Sequence, residues 1–328
     1  MSDPSNPQFW STRLGSHPKR EDVPFELDNI LSSVVSLRAS IPEDAFTAPL
    51  LGTEREGQGV IVDDNGIVLT IGYLITEAEK IWLIGNNNVA VPADVVAYDQ
   101  ETGLGLVQAL GKLGLPSAEI GDSSPVSVGE PVIIAGQGGT EGAVNAQVVS
   151  VREFAGSWEY LIENAIFTIP AHSKWSGAAA FNQVGQLIGI GSLYIQQAIP
   201  GDEQIDGNMI VPIDILKPIY NDLLSMGQPS KPPRPWLGMT TAEADDKLVV
   251  AGLDKRGPAM LAGVDLGDMI LGIAGEPVTG LPTMFRKIWA LGSAGVPVPL
   301  TLERDGETFS LTIQSSARTD YLKKPNLN

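Results

Sequence analysis

The chain has 328 residues, of which 43% are hydrophobic and 18% are charged, and its formal net charge is −18. This length is enough for two or three domains, each with its own core. Cysteine is absent, which excludes disulfides, thiolate metal sites and cysteine catalysis. The 36 glycines and 24 prolines indicate frequent turns and favour β architecture over helical bundles.

The excess of acidic side chains lies in the first part of the chain. Residues 1–229 hold 28 acidic and 10 basic side chains, whereas residues 230–328 hold 11 of each. Acidic surfaces repel nucleic acid and anionic lipid, so we expect neither as a partner. The two histidines, His17 and His172, are too few for a histidine-rich metal site. We therefore expect no metal and no cofactor.

Residues 1–28 are rich in proline and charge and predict a flexible N-terminal arm. The arm has no apolar stretch of the kind that a secretory signal needs. No later run reaches about 18 uninterrupted apolar residues, so we expect no membrane span. A cytoplasmic location follows as the default. A periplasmic or other extracytoplasmic location is the alternative, if a leader has been removed.

Short β-branched runs follow one another from residue 30 onward, without helical periodicity between them. In the run 59–70, Asp64-Asn65-Gly66 separates two apolar segments and predicts a hairpin. The pattern predicts further strands at 33–39, 95–99, 104–110, 131–136, 143–151, 159–164, 186–192 and 208–213. Strands at this spacing are typical of antiparallel barrels. Residues 214–227 have helical spacing and close with Gly227, which predicts a helix.

The stretch QPSKPPRP, residues 228–235, predicts an extended linker because its prolines favour a semi-rigid chain. Beyond it, TMFRKIWALG (283–292) predicts a helix, and Arg304-Asp305-Gly306-Glu307 predicts a hairpin turn. The predicted domains are the arm 1–28, a first domain 29–227, the linker 228–235, a second domain 236–318 and a tail 319–328.

The order of these motifs resembles the HtrA/Deg family, in which a chymotrypsin-like serine protease domain precedes a PDZ domain. The resemblance runs from Ser32 to Ile313. It rests on GIVLTIGYLI (66–75), DQETGLGLV (99–107), KWSGAAAFN (174–182) and RGPAMLAGVDLGDMILGIAGEPV (256–278). It implies a mainly β protein: a chymotrypsin-like double β-barrel followed by a C-terminal α+β PDZ domain.

The resemblance also locates the catalytic positions of the family. Ser176 stands at the nucleophile position, Tyr73 at the position of the catalytic histidine and Gly103 at that of the aspartate. The family's oxyanion hole uses the N–H groups of the serine and of a glycine two residues earlier, which here is Lys174. A tyrosine with a pKa of about 10 is protonated at neutral pH and cannot replace imidazole as a base. Glycine has no side chain to orient one. The resemblance therefore implies a degenerate member that lacks the catalytic His and Asp.

In the second domain, Pro235-Trp236-Leu237-Gly238-Met239 matches the loop with which PDZ domains hold a terminal carboxylate. Such domains add an extended peptide to a sheet edge and bind its carboxylate on backbone N–H groups. The candidate peptide-binding residues are Trp236, Leu237, Gly238, Met239, Met284 and Ile288.

Three functions remain open at this point. The first is an inactive protease homologue that binds peptides, protein C-termini or unfolded segments through its PDZ domain, as a scaffold or in protein quality control. The second is a serine hydrolase that uses Ser176 with an unusual base, either His172 or Lys174. We interpret His172 rather as a surface or loop histidine. The third is a structural assembly protein. The resemblance also implies a homotrimer, or a mixed oligomer with an active relative.

Overall fold

The computed structural model describes residues 14–199, 201, 204–244 and 247–323. Residues 1–13 of the predicted arm and 324–328 of the predicted tail lie outside this range. The chain divides into two compact units. Among the described residues, the first comprises 14–152, Asn164–Ser230 and Lys323, and the second comprises Glu153–Glu163 and Lys231–Leu322. Segment 153–163 thus belongs to the same unit as the C-terminal part of the chain.

Six antiparallel strands of the first unit form a closed barrel in the spatial order β1-β2-β3-β6-β5-β4. They are β1 (Val34–Ser40), β2 (Glu54–Ile61), β3 (Ile67–Ile71), β4 (Lys80–Ile84), β5 (Ala90–Tyr98) and β6 (Leu104–Ala109). Strand β3 is buried along its whole length and ends at the 3-10 turn Gly72–Leu74. That turn places Tyr73 at one end of the barrel.

The predicted hairpin at Asp64-Asn65-Gly66 is confirmed as the turn between β2 and β3. The Asp63 carboxylate accepts the N–H groups of Asn65 and Ile67, at 3.0 and 2.8 Å, and so closes the turn. Gly66 has φ +84°, a left-handed conformation that glycine adopts without a steric penalty.

A second closed barrel has the order β10-β11-β12-β9-β8-β7. Its strands are β7 (Pro131–Ala135), β8 (Ala143–Gly156), β9 (Tyr160–Ile169), β10 (Ala179–Phe181), β11 (Leu187–Ile195) and β12 (Gly207–Pro212). Its core is built from aliphatic side chains such as Ile134, Val148 and Ile210, all fully buried. The predicted paired barrels are therefore present.

Three short helices accompany the barrels: α1 (Leu27–Ser32), α2 (Ala48–Leu51) and α3 (Tyr220–Met226). The helix predicted over 214–227 is confirmed only in its second half, at α3, whereas its first residues lie in the 3-10 turn Ile213–Ile215. Helix α3 is capped by Gly227 at φ +71°, whose N–H binds the carbonyl of Leu223. In the described part of the predicted arm, the N–H of Gly15 binds the carbonyl of Asn145 in β8 at 2.9 Å.

The second unit holds an antiparallel sheet in the order β13-β14-β15-β17-β18, with β16 paired to β15. Its elements are β13 (Met239–Ala244), β14 (Lys247–Leu253), α4 (Pro258–Leu261), β15 (Met269–Ile273), β16 (Glu276–Pro277), α5 (Leu281–Ala290), β17 (Pro297–Arg304) and β18 (Glu307–Gln314). The predicted helix corresponds to α5 and the predicted turn Arg304–Glu307 joins β17 to β18. Strand β13 lies at one end of the sheet order.

Candidate functional site

Ser176 and Tyr73 meet at the surface of the first unit. Ser176 lies in the loop between β9 and β10, and Tyr73 lies in the turn after β3. The Tyr73 hydroxyl oxygen is 2.7 Å from Ser176 Oγ and 3.0 Å from the carbonyl oxygen of Ser192. The structure therefore brings together two of the residues that the sequence predicts at catalytic positions.

The direction of these hydrogen bonds follows from counting protons. Tyr73 has one hydroxyl proton and the Ser192 carbonyl can only accept. All three groups are satisfied when Tyr73 donates to Ser192 and the Ser176 hydroxyl donates to Tyr73. Burial raises the pKa of the Tyr73 hydroxyl well above its ordinary value, so the phenol stays neutral. A neutral phenol oxygen is a poor proton acceptor and cannot activate Ser176 as a general base.

Gly103 lies in the loop between β5 and β6, where an orienting carboxylate would be needed. It has φ +73°, and its carbonyl accepts the N–H of Gly72 at 2.7 Å. The neighbouring carboxylate of Asp99 is buried and accepts the N–H of Thr102 at 2.9 Å within its own loop. The loop thus supports the Tyr73 turn through its backbone.

The N–H group of Lys174, at the predicted oxyanion position, is already engaged. It donates to Nδ1 of His172 at 3.0 Å, while Nε2 of His172 lies 2.9 Å from the carbonyl of Gly142. Because Nδ1 accepts, the proton of the imidazole is on Nε2 and the ring is neutral. Burial lowers the pKa of His172, which favours the same neutral form. An oxyanion beside Ser176 would have to compete with His172 for the Lys174 N–H.

Both alternative bases for Ser176 have other partners. His172 is only 5% exposed and its ring and its backbone N–H are all hydrogen-bonded, the last to Asn208 at 2.7 Å. The interpretation of His172 as a surface or loop histidine is confirmed for the loop between β9 and β10, where the side chain is buried. The ammonium of Lys174 donates to the carbonyl of Gln137 at 2.8 Å. Neither contact directs a base at Ser176.

The turn at Ser176 is fixed by its backbone. The N–H of Gln58 in β2 donates to the Ser176 carbonyl at 2.8 Å, and that of Gly177 donates to the carbonyl of Gly191 at 2.8 Å. Gly177 has φ +76°, and a Cβ there would come within 2.0 Å of the Gln58 carbonyl oxygen. Glycine is therefore the residue that fits this position.

A surface cleft of about 460 Å³ lies beside Ser176. Its lining is mostly polar and carries both signs of charge. The lining residues are Ser36, Arg38, Glu56, Gly57, Gln58, Gln137, Ser173, Lys174, Trp175 and Ser176. Such a cleft can hold a segment of polypeptide next to the serine.

A second constellation lies in the second unit, where three consecutive backbone N–H groups converge on one carboxylate. Leu237 donates to Glu159 at 3.1 and 3.0 Å, Gly238 at 2.8 Å and Met239 at 3.3 Å. Gly238 has φ +73°, the conformation that turns these donors to one side. The loop is thus a nest of N–H donors of the kind that binds anions, and the carboxyl group in it is a side chain of the same chain.

The remaining predicted groove residues have mainly a packing role in this structure. Met284 and Ile288 of α5 are fully buried in one apolar cluster with Leu237 and Met239. The backbone of Trp236 forms a two-way bridge with Ser316, and its ring contacts that of Tyr321. Of the four predicted loop residues, three therefore supply N–H donors to the nest.

Residues 57–190 match the family model described as trypsin-like peptidase domain, and residues 235–314 match the model described as PDZ domain. The chain combines a trypsin-like domain with a PDZ domain, in the HtrA-type order. It is 27% identical over 280 residues to "Probable periplasmic serine endoprotease DegP-like" of Pseudomonas putida strain W619, covering 80% of this chain and 56% of that protein. It is 24% identical over 292 residues to "Serine protease Do-like HtrA" of Lactobacillus helveticus, covering 80% and 69%.

Solved structures share the fold. "HtrA-type protease AlgW with tripeptide" matches 92% of this chain and 98% of its own, with a TM-score of 0.52 and 20% identity. The serine endoprotease from Yersinia pestis matches 90% and 98%, with a TM-score of 0.52 and 23% identity. These matches confirm the predicted double barrel and PDZ fold. The chain spans about half the length of the Pseudomonas relatives.

Sequence reasoning missed Glu159 as the partner of the PDZ loop, and it missed the hydrogen bond by which His172 engages the Lys174 N–H. The pattern predicts a strand over 159–164, whereas Glu159 lies in the turn before β9. Its carboxylate and the PDZ loop are 78 positions apart, and no local motif connects them. The contact of His172 with Lys174 follows from a fold of the loop that the sequence does not reveal. Among the described residues, the helices lack the combination of length and apolar character needed to cross a membrane.

Proposed function

We propose that this HtrA-type protein is a catalytically inactive protease homologue that works by binding peptide segments through its PDZ domain. The observation that carries this proposal is the hydrogen bond between Tyr73 and Ser176, in which a neutral phenol takes the place of a base. The Gly103 position adds no carboxylate, and the Lys174 N–H is engaged by His172. Loss of one member of such a triad removes most of a rate gain of roughly a millionfold.

The alternative is a serine endopeptidase, which the printed names of the relatives favour. Ser176 is present and the cleft beside it could hold a substrate. Under this alternative, a substrate would have to displace the Tyr73 contact and bring or recruit a base. Nothing in the contacts of His172 or Lys174 favours that step.

The test is a fluorophosphonate probe combined with digestion of an unfolded protein such as reduced casein. A competent trypsin-like protease serves as the positive control, and Ser176→Ala as the matched negative control. We expect no labelling of Ser176 and no cleavage above the Ser176→Ala background. Labelling of Ser176 together with cleavage that is lost in Ser176→Ala would establish the endopeptidase instead.

For the PDZ domain we propose that the ligand is a C-terminal peptide with an apolar last residue. The nest of Leu237, Gly238 and Met239 supplies the carboxylate donors, and strand β13 offers an edge for an added strand. A library of C-terminal peptides should yield ligands whose affinity is lost on amidation of the terminus. Ligands that survive both amidation and Leu237→Asp would place binding elsewhere.

Location and assembly are also proposals. The cytoplasmic location expected from the sequence receives no support from the relatives, several of which are named periplasmic. We propose that the protein works outside the cytoplasm, and cell fractionation with compartment markers tests this. A homotrimer or a mixed oligomer with an active relative is proposed from the resemblance. Light scattering of the purified chain, alone and mixed with such a relative, distinguishes these forms.

A further inference from the structure

The PDZ nest is filled by a carboxylate that belongs to the same unit of the same chain. Glu159 is 8% exposed, and its two oxygens take all three N–H groups of the nest. A carboxylate on these donors is the arrangement by which a peptide terminus would be held. A terminal carboxylate therefore finds its donors already occupied.

The resemblance to a bound peptide extends beyond the carboxylate. The N–H of Thr241, two residues after Met239 in β13, donates to the carbonyl of Ser157 at 2.9 Å. Ser157 in turn lies two residues before Glu159. Alternate residues of an edge strand present their N–H groups on the same side, so this register is that of an added strand. Residues 157–159 thus occupy both the nest and the edge of β13.

The segment is also tied to the helix on the other side of the groove. Arg286 of α5 forms ion pairs with Glu153 and with Glu163, the latter at 3.7 Å. Leu161 is buried in the cluster that contains Met284 and Ile288 of the same helix. The segment 153–163 therefore contacts β13, the nest and α5. In a PDZ domain these three elements line the peptide groove.

The backbone of Glu159 is strained where it enters the nest. Its φ is +61°, a left-handed conformation that a non-glycine residue adopts at a cost of about 1 kcal/mol. Such a conformation persists only where surrounding contacts hold it in place. Here those contacts are the hydrogen bonds to the nest and the stacking of Trp158 on Tyr160, whose ring centroids are 5.8 Å apart.

We propose that Ser157–Glu159 is a built-in ligand of the PDZ groove, so that a C-terminal peptide binds only after this segment has been displaced. The inference rests on the proposed peptide binding of the PDZ domain and specifies its regulation. An external ligand must bring a terminal carboxylate and a strand able to pair with β13. Its apparent affinity is reduced by the fraction of molecules in which the segment is docked.

The experiment uses the full chain, the variant Glu159→Ala and the matched control Glu163→Ala. Glu163 is an exposed carboxylate of β9, four residues after Glu159 and outside the nest. Its contact with Arg286 is exposed and 3.7 Å long, so its loss should cost little, and Glu153 still pairs with Arg286. The probes are three fluorescein-labelled decapeptides ending in Val, Leu or Phe with a free carboxylate, and their amidated counterparts. Fluorescence anisotropy gives the dissociation constants. Hydrogen exchange of the amides of 237–241 reports on the nest without any peptide.

We expect the amides of the nest to be protected in the natural chain and in Glu163→Ala, and to exchange faster in Glu159→Ala. Amides of β17 should stay protected in all three proteins, which shows that the domain remains folded. Glu159→Ala should bind the free-carboxylate peptides at least about tenfold more tightly, if the groove is closed in about nine molecules out of ten. The amidated peptides should bind to none of the proteins.

Two results distinguish a failure of the inference from a failure of the proposed function. Equal exchange at 237–241 in the natural chain and in Glu159→Ala overturns the built-in ligand, whatever the peptides do. Equal peptide affinity of these two proteins overturns it as well. Faster exchange in Glu159→Ala without binding of any peptide supports the docked segment and contradicts peptide binding as the function.

Discussion

Replacing Glu159 by glutamine keeps the shape of the side chain and removes its titration. Burial raises the pKa of Glu159 to about 7 from an ordinary value of 4.5, although the N–H groups of the nest and the charge of Arg318 pull it down. Desolvation of the carboxylate therefore outweighs its hydrogen bonds. A folded-state pKa above the unfolded value means that the folded chain binds more protons between pH 4.5 and 7.

The sign and the size of the effect follow from this difference. Stability falls as the pH rises wherever the folded state holds the extra proton, so the contribution of Glu159 is complete below pH 4.5 and is lost as the pH rises through about 7. At about 1.4 kcal/mol per pH unit, the free energy of unfolding falls by about 3 kcal/mol over this window. If docking of the segment is worth less than that, the segment undocks and the loss stops at the docking free energy.

The assay is urea unfolding of the natural chain and of Glu159→Gln from pH 4 to pH 8.5. Subtracting the free energies of unfolding of the two proteins at each pH cancels the contribution of every other titrating group that the substitution leaves unchanged. Relative to the variant, the natural chain should lose up to about 3 kcal/mol as the pH rises, and the Glu159 carboxyl carbon should titrate in NMR near pH 7. Glu163→Gln should show no such dependence.

A titration midpoint of Glu159 at or below its ordinary value would refute the reasoning. It would mean that the N–H donors of the nest stabilise the carboxylate by more than burial penalises it. The pH dependence would then reverse, and docking of the segment would strengthen as the pH rises.

Three further substitutions test the site at Ser176. Tyr73→Phe should lower the free energy of unfolding by about 1–3 kcal/mol, because it leaves the Ser192 carbonyl unpaired. Tyr194→Phe, at a more exposed tyrosine, should change the free energy of unfolding by no more than about 0.5 kcal/mol. Equal effects of the two substitutions would show that the hydrogen bond from Tyr73 to Ser192 contributes nothing. Tyr73→His should remain unlabelled by a fluorophosphonate, because Gly103, at the position of the orienting carboxylate, has no side chain. Labelling would show that an imidazole at position 73 activates Ser176 without that carboxylate. Gly177→Ala should destabilise by about 3 kcal/mol or more in urea unfolding, since its Cβ would overlap the Gln58 carbonyl. A small effect would mean that this turn can move.

The sequence predicts the barrels well where strands are rich in β-branched residues and turns contain glycine. It fails at two strands. Strand β4, Lys80–Ile84, follows a polar turn and has its apolar residues in a short run that no hairpin signal marks. Strand β10, Ala179–Phe181, begins with alanines, which have little β propensity, and only pairing with β7 and β11 makes it a strand.

The sequence predicts catalytic positions from local motifs in a fixed order, and the structure places two of these residues, Tyr73 and Ser176, in contact. What these positions do could not be predicted, because it depends on contacts between distant parts of the chain. The Tyr73 hydroxyl meets Ser176 across 103 positions, and His172 meets Gly142 across 30. Glu159 stands in no motif at all. Long-range contacts of single side chains leave no periodic trace in a sequence.

The backbone contacts at Ser176 give a structural reason for the Ser-Gly turn that does not depend on the chemistry of the serine hydroxyl. The Ser176 carbonyl, and not its hydroxyl, accepts the N–H of Gln58 and so ties the loop after β9 to strand β2 of the other barrel. Gly177 must remain glycine for the same contact. The fold therefore requires the Ser-Gly backbone even where no base activates the hydroxyl. Removing that hydroxyl in Ser176→Ala leaves this junction in place, so the substitution separates chemistry from stability.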